Sequence, residues 1–289
     1  MDAEELIPGP ATSVLVIGPE RGWTSLRLRE LWEYRELLYF FVWRDVKVRY
    51  KQTVLGAAWA ILQPLMSAAV FTVFFGRLAG IPSDGVPYPL FAYAGLLVWT
   101  FFSQAISQAG GSLVSSANLI TKVYFPRAVV PASSVLSGLV DLAVATPVLV
   151  LLMVYYGVNP GGRLILVPVV LILAVGSAFG VGLWLSALTV EYRDVRYVVP
   201  FLVQIWLFMT PVIYPASQVG PLLASRGLPV WLLGLNPMAG VVEGFRWAVV
   251  GTPTAPWSLL ASSALFGAAV LVSGAFYFRA TERSFADVV

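Results

Sequence analysis

The chain contains neither cysteine nor histidine. It therefore cannot form a disulfide, bind a metal through thiolate or imidazole, assemble a Ser-His-Asp triad, or sense pH through an imidazole. The Gly-Lys dipeptide of the phosphate-binding loop G-x-x-x-x-G-K-[ST] is also missing, so the chain cannot bind ATP by that route. Charge is scarce: 11% of the 289 residues are charged, against roughly 25% in soluble domains.

Apolar residues take the place of the missing charges. They make up 58% of the chain, which includes 10 Trp, 12 Tyr and 17 Phe. A soluble fold would leave much of this surface in water, so the composition predicts a membrane protein. The acidic start and the short apolar piece "SVLVI" do not match a cleaved signal peptide, and we expect membrane entry to depend on internal spans.

Six apolar windows are long enough, at about 20 residues, to cross roughly 30 Å of hydrocarbon as helices. They cover residues 54–76, 87–109, 128–156, 164–190, 197–214 and 256–278. If the spans alternate in direction, fourteen of the 18 Lys and Arg residues fall on one side. The positive-inside rule makes that side the cytosol and places both termini there. The net charge of +3 then reflects orientation and contact with anionic membrane lipid, and we expect no nucleic-acid partner.

The first span follows a stretch with helical character. Residues 1–26 are expected to form a cytosolic tail, and residues 27–52 an amphipathic helix that lies flat at the cytosolic interface. Cationic and aromatic side chains on different faces favour this interpretation. The alternative is a soluble helix in a cytosolic domain. The fold class predicted for residues 53–289 is an all-α, six-span membrane domain.

The segment 215–255, between the last two spans, is too apolar for a simple outer loop. Within it, residues 229–250 are predicted to form an extracytoplasmic re-entrant helical hairpin, broken at Asn236 and Pro237 because proline ends one helix and opens the next. Glu243 and Arg246 lie one helical turn apart in this hairpin, so their side chains can meet. They either form a local pair that lets the hairpin insert, or line the outer mouth of a path.

Four stretches together resemble the permease subunits of bacterial polysaccharide ABC exporters, the type-two ABC permeases that export O-antigen, teichoic acid and capsular glycans. They are "RDVKVRYKQTVLGAAWAILQPL", "ANLITKVYFPRAVVPASSVLSGLVDL", "YRDVRYVVPFLVQIWLFMTPVIYP" and "LNPMAGVVEGFRWAVVG". The resemblance runs from about residue 14 to the C-terminus.

This resemblance implies a transport subunit of the bacterial inner membrane that does no chemistry itself. It implies a homodimer whose shared channel passes a glycan linked to undecaprenyl-pyrophosphate. Two cytosolic nucleotide-binding ATPase subunits would bind ATP and Mg, and this chain would bind no cofactor. The inner loop 115–128 would carry the coupling helix that contacts the ATPase. From the residues alone, this loop is either a plain connector or a short helix that offers aromatic side chains to a cytosolic partner. The candidate coupling residues are Asn118, Lys122, Tyr124, Phe125 and Arg127.

Three further sets of side chains are candidates for transport. The cations Arg44, Lys47, Arg49 and Lys51 either set the topology by binding anionic lipid or capture the substrate pyrophosphate. The aromatics Trp59, Tyr93, Trp99 and Phe102 either face lipid or offer flat surfaces to sugar rings in the channel. Asp141, the one ion inside a predicted span, serves either helix packing or pore lining.

Two other functions compete with glycan export. A small-lipid or drug exporter of the same ABC type would share the topology but need a narrower, more apolar path. A membrane glycosyltransferase would need clustered carboxylates or a metal site near the interface. Asp45, Glu191 and Asp194 are the cytosolic candidates for such a cluster, and nothing in the sequence brings them together.

Overall fold

The computed structural model describes residues 32–51, 56–282 and 285. The tail expected at 1–26 and the first residues of the expected interfacial helix lie outside the described residues. The described part contains helices and no β-strand. In chain order the α-helices are α1 (Arg35–Tyr50), α2 (Gly56–Phe71), α3 (Tyr88–Ser115), α4 (Ala117–Ile120), α5 (Val129–Tyr155), α6 (Val167–Glu191), α7 (Val195–Met209), α8 (Ala216–Ser225), α9 (Pro237–Val249) and α10 (Trp257–Thr281).

Short helical turns of other geometry extend three of these helices. A π-helical turn, Thr72–Leu78, continues α2, and 3₁₀ turns at Gly161–Leu166 and Val230–Leu235 precede α6 and α9. Within the described ranges, five segments are long and apolar enough to cross a membrane: Ala58–Leu78, Tyr88–Ser115, Val129–Tyr155, Gly161–Glu191 and Trp257–Thr281. They match five of the six predicted spans, and the chain is a multi-pass, all-α membrane protein.

The span expected at 197–214 is shorter in the structure. Its helix, α7, has 15 residues, which at 1.5 Å per residue is about 22 Å and less than the roughly 30 Å of a bilayer core. Thr210 ends the helix with extended backbone, at φ −96° and ψ 140°. Pro211 follows it, and proline disfavours the helical conformation in the residue before it.

Helix α3 is the centre of the bundle, because most of its surface is covered by α5 and α6. On the side of α6 that faces away from α3, α10 packs closely against α6. A Cβ atom on Gly180 would lie 2.6 Å from the Cα of Leu271, so only glycine allows this approach. Small residues at helix contacts are the usual means of close packing in membranes.

A second apolar cluster closes the end of the bundle that is predicted to face the cytosol. Phe41 of α1 meets Phe125, from the loop after α4, edge to face at 5.7 Å between ring centroids. Phe278 of α10 packs on Phe285 at 5.3 Å. This cluster joins the interfacial helix, the inner loop and the end of α10 into one body.

Helix α1 runs alongside the first turns of α5. The Ser133 hydroxyl donates to Asp45 at 3.1 Å, and Arg49 donates to the Ser137 hydroxyl at 3.2 Å, so both contacts join residues 88 positions apart. A helix that crossed α5 at a steep angle would not keep this constant offset. The described part of α1 therefore runs along the start of α5.

The segment before α10 contains the two short helical pieces that the sequence predicts, separated at Asn236. The Asn236 side chain caps α9 by accepting from the Met238 amide at 3.1 Å. Of the residues in α9, only Trp247 is not buried. Irregular backbone at membrane depth needs such cover by protein. One further short helix, α8, precedes the hairpin and was not foreseen.

Candidate functional site

A polar stripe runs along α3. Between Phe91 and Leu113, every residue that is not buried is polar or glycine. These residues are Thr100, Ser103, Gln104, Ser107, Gln108 and Gly111. They recur every three or four residues, so they share one side of the helix over about 16 Å. A lipid-facing surface would be apolar at this depth, so the stripe is suited to water, a partner or a hydrophilic ligand.

The hydroxyls of the stripe are bonded to their own helix. Ser103 donates to the Thr100 carbonyl at 3.1 Å and Ser107 to the Ser103 carbonyl at 2.7 Å. Each hydroxyl oxygen therefore still has lone pairs that can accept a hydrogen bond. The Gln104 amide donates to Gln63 of α2 at 3.1 Å. The stripe can thus exchange hydrogen bonds with a ligand that is rich in hydroxyl groups.

The stripe lies between the contacts that α3 makes with α2 and with α7. On one side Gln104 meets Gln63, and on the other Trp206 of α7 packs edge to face on Phe102 at 5.1 Å between ring centroids. Both flanking helices leave most of their own surface uncovered: α7 buries only Val199 fully, and Trp59 on α2 is 58% exposed.

At the predicted cytosolic end, the stripe reaches a cleft of about 690 Å³ between α1, α3, α4 and α5. Its lining is mostly polar: Arg44, Asp45, Val48, Arg49, Ser107, Gln108, Gly111, Ser112, Ser115, Ser116, Asn118, Leu119, Val130 and Ser134. Three stripe residues are therefore also cleft residues, and the two surfaces are continuous.

The wall of this cleft contains an ion pair that involves the intramembrane carboxylate. Asp141 pairs with Arg49 and accepts from the Tyr50 hydroxyl. Arg49 also donates to Gln108 of the stripe and to Ser137. Burial, together with the hydrogen bond to Asp141, raises the pKa of the Tyr50 phenol above its ordinary value, which already keeps the phenol protonated at neutral pH. Asp141 thus holds the last turn of α1 against the bundle.

The four predicted entrance cations are not equivalent. Arg44 and Arg49 line the cleft, and Arg44 pairs with Asp45 at 2.8 Å. Lys47 and Lys51 are exposed and are not among the cleft residues, and the Lys47 ammonium lies 4.1 Å from the Trp43 ring centroid. The structure brings two of the four together.

The predicted aromatic surface is also divided. Tyr93, Trp99 and Phe102 are buried inside the protomer, and the Tyr93 hydroxyl donates to the Ala145 carbonyl at 2.9 Å. These three are core residues in this conformation, because α3 turns its aromatic side inward and its polar side outward. Only Trp59 remains available to a ligand or a second copy.

The polar stripe itself was missed from the sequence. Its signal is present in the second span, where Ser-Gln occurs at 103–104 and again four residues later at 107–108. A repeat at helical spacing indicates one face of a helix. The aromatic residues that precede these pairs, Trp99, Phe101 and Phe102, are buried on the opposite side of α3.

The inner loop presents some of its predicted coupling residues and folds others inward. Asn118, Lys122 and Tyr124 are exposed, with Tyr124 83% accessible. Phe125 is buried against Phe41, and Arg127 donates to the backbone carbonyl of Glu282 beyond α10. The exposed residues form a small projection, and the inward ones fix it to the bundle.

At the opposite end, Glu243 and Arg246 form the local pair that their spacing predicts, at 3.3 Å. Arg246 is fully enclosed and also donates to the carbonyls of Phe91 and Pro211, at 3.1 and 2.6 Å, and to that of Val212. The pair is therefore internal to the protomer and does not line an open mouth in this conformation.

Gly95 of α3 makes room for this guanidinium. A Cβ at that position would overlap Arg246. Glu243 in turn accepts from the Ala216 amide at the start of α8, at 2.9 Å. The pair thereby joins α9 to α3, to the loop after α7 and to α8.

Comparison with known proteins agrees with the resemblance seen in the sequence. An O-antigen export system permease protein, RfbA, of Myxococcus xanthus is 32% identical over 220 residues, 76% of this chain and 82% of that protein. An RfbA of Klebsiella pneumoniae is 29% identical over 212 residues, 73% of this chain and 79% of that protein. The polysialic acid transport protein KpsM of Escherichia coli is 23% identical over 249 residues, 83% of this chain and 92% of that protein. The ABC-2 type transporter family matches residues 36–250, and the chain belongs to that family.

Proposed function

We propose that this ABC-2 type transporter subunit exports a polysaccharide across the cytoplasmic membrane of a bacterium, and that the polar stripe of α3 is part of the path. The observation that carries the proposal is the stripe itself. Its residues place hydroxyl and amide groups on the outward side of a membrane-spanning helix, where lipid contact would be costly. A glycan offers hydroxyl groups along its whole length, so such a surface binds it weakly and repeatedly as it moves.

The similar proteins support this choice of cargo. They are named for O-antigen export and polysialic acid transport, which are both polysaccharide transport functions. A path for small lipids or drugs would be expected to be more apolar than the stripe. The stripe therefore favours the polysaccharide over the small-lipid alternative.

A second copy of the chain would complete the path. The stripe is open to the outside of the protomer, and the flanking helices α2 and α7 are sparsely covered. Two copies facing each other would cover these helices and enclose both stripes in one channel. Trp59, which is exposed beside the stripe, would then contact either the partner or the sugar rings.

Energy would come from two cytosolic ATPase subunits, because the chain lacks the phosphate-binding loop. We assign their contact to the exposed side of the inner loop, through Asn118, Lys122 and Tyr124. This assignment places both termini in the cytosol. It makes the chain a transport subunit and not an enzyme, with ATP and Mg bound by the partner.

The cleft would admit the cargo by its lipid-linked end. Undecaprenyl-pyrophosphate carries two phosphate groups, and Arg44 and Arg49 lie in the cleft wall. Guanidinium groups bind phosphate oxygens in a bidentate manner. The carboxamides of Gln108 and Asn118, which also line the cleft, provide further hydrogen-bond donors, so the cleft matches a diphosphate joined to a sugar.

The experiment compares export in cells that carry stripe variants. The variant Ser103→Ala, Gln104→Leu, Ser107→Ala removes polar groups from the stripe. Its expected effect is accumulation of lipid-linked glycan inside the cell and loss of glycan at the surface. The matched control is Gln218→Leu with Ser225→Ala in α8, where exposed polar side chains lie away from the stripe. Normal export by the stripe variant, at normal protein level, would refute the proposal. Efflux of an apolar dye that depends on the chain, with unchanged glycan export, would favour the small-molecule alternative.

A further inference from the structure

We propose that the Arg49–Asp141 pair is a latch on the cleft, and that a phosphate group of the cargo opens it by taking Arg49 as its own partner. The inference rests on the proposed export of a diphosphate-linked glycan. It assigns a role to Asp141, for which packing and pore lining were both open from the sequence.

The latch joins the last turn of α1 to two spans. Arg49 and Tyr50 are the final residues of α1, and both bind Asp141 of α5. Arg49 also reaches Gln108 of α3. The next described helix along the chain is α2, which flanks the polar stripe. Movement of this turn would therefore shift the cleft wall and the start of α2 together.

Arg49 is placed to change partners. Its side chain is 24% exposed, and it lines the cleft, whereas Asp141 is 12% exposed and lies in the membrane-spanning part of α5. Arg49 bonds to the side chains of Asp141, Gln108 and Ser137, which can rotate, and phosphate accepts the guanidinium fork at least as well as a carboxylate. With Arg49 engaged elsewhere, Asp141 would be held to α1 by Tyr50 alone.

The N-terminal half of α1 is attached to the inner loop. Phe41 packs on Phe125 at 5.7 Å between ring centroids, two helical turns before Arg49. A helix whose first half contacts the ATPase-facing loop and whose last turn contacts the intramembrane carboxylate can transmit a change in either direction. Loading of the cleft would thereby loosen the helix that the ATPase subunits move.

Cross-linking of α1 to α5 tests the latch directly, since the chain has no cysteine of its own. Asp45→Cys with Ser133→Cys replaces a pair whose side chains meet at 3.1 Å. The rate of oxidative cross-linking of the full-length chain in membrane vesicles then reports how long α1 stays against α5. Inorganic pyrophosphate is the probe, and chloride at equal ionic strength is its control.

The expected result is several-fold slower cross-linking in pyrophosphate than in chloride. In Asp141→Asn the rate should already be low and should no longer respond to pyrophosphate. In Arg49→Lys the response should be weaker, because lysine keeps the charge but lacks the fork. Glu191→Gln is the control, because Glu191 lies at the same end but is bonded to Tyr277 of α10. With this change, the cross-linking rate and its response to pyrophosphate should equal those of the double-cysteine chain without further substitution.

Equal rates in pyrophosphate and chloride would overturn the latch, whether or not Asp141→Asn folds normally. The phosphate could also come from a membrane lipid, so the protein is reconstituted in phosphatidylcholine with and without phosphatidylglycerol. Slowing by phosphatidylglycerol alone would assign the site to lipid headgroups and overturn its role in loading. The cross-linking assay does not depend on export. The latch can therefore be refuted while the stripe variants still block export, and the stripe proposal can be refuted while cross-linking still responds to pyrophosphate.

Discussion

Two ion pairs at opposite ends of the helix bundle, Glu243–Arg246 and Arg49–Asp141, are built from different partners. Glu243 and Arg246 belong to the same helix, and their other bonds are to backbone carbonyls and to one backbone amide. Arg49 and Asp141 are 92 residues apart, and this pair also bonds to the side chains of Gln108, Ser137 and Tyr50. Arg246 has no exposed surface, whereas Arg49 opens onto the cleft.

This difference separates a brace from a latch. Backbone groups cannot rotate away from Arg246 without unfolding the segments to which they belong, so the outer pair fixes α9 in place. Side-chain partners can change rotamer, and a group beside an open cleft can be hydrated when its ion pair breaks. The same two chemical groups are therefore permanent at one end and exchangeable at the other.

Arg246→Met is expected to have the largest effect on stability. It leaves Glu243 buried without its cation and removes the donors from three carbonyls, and loss of one partner of a buried pair costs about 3–5 kcal/mol. Thermal unfolding of the purified chain in detergent measures the loss. The matched control is Arg226→Met, since Arg226 is an exposed arginine at the same end. Equal stability of both variants would show that the outer pair is no brace.

Gly95→Ala tests the same brace from its neighbour, with a smaller effect. The added methyl group would press on the Arg246 guanidinium, and overpacking of this kind costs about 1–3 kcal/mol. Gly111→Ala is the control in the same helix, because a Cβ there meets nothing within 4 Å. It should be neutral or slightly stabilising, since alanine favours helix by about 1 kcal/mol over glycine. If Gly95→Ala unfolded at the same temperature as Gly111→Ala, the close contact between Gly95 and the Arg246 guanidinium would be contradicted.

Sequence patterns predicted most of this fold, and their errors have physical causes. Five spans and the hairpin break at Asn236 follow from apolar length and from proline, which act locally. The shortened α7 was overestimated because its apolar residues continue past Thr210, while the turn before Pro211 ends the helix. The contact between α1 and α5 joins residues 88 positions apart, which periodicity does not contain.

In the candidate site, too, features set by neighbouring residues were predicted and features set by distant contacts were not. The spacing of Glu243 and Arg246 predicted their pairing, because three residues along a helix bring side chains together. No spacing relates Arg49 to Asp141, so that pair was invisible. Burial of Tyr93, Trp99 and Phe102 was also unforeseen, because an apolar span does not reveal which of its faces is covered by protein and which by lipid.

Asp141→Asn should reduce stability less than Arg246→Met does. Asparagine keeps an acceptor for Tyr50, and Arg49 can turn to the cleft, so the loss should be on the order of 1.5 kcal/mol, typical of a hydrogen bond to a charged group. Asp194→Asn is the control for the unfolding measurements, because it makes the same chemical change at an exposed residue in the turn before α7. A loss as large as that of Arg246→Met would mean that the two pairs are equally fixed, and the distinction between brace and latch would fail.

Lys47→Gln should change the stability least of all these variants. It also tests whether the response to pyrophosphate depends on Arg49 in particular. Lys47 lies on α1 like Arg49, but it is exposed and rests over the Trp43 ring at 4.1 Å. A cation–π contact at such a site is worth about 0.5–1 kcal/mol, so unfolding should change by no more than this. Cross-linking between positions 45 and 133 should keep its full response to pyrophosphate. If Lys47→Gln abolished that response as Asp141→Asn is expected to, the anion would be acting on the overall charge of α1. The particular partner of Arg49 would then not matter, and the inner pair would lose its special status.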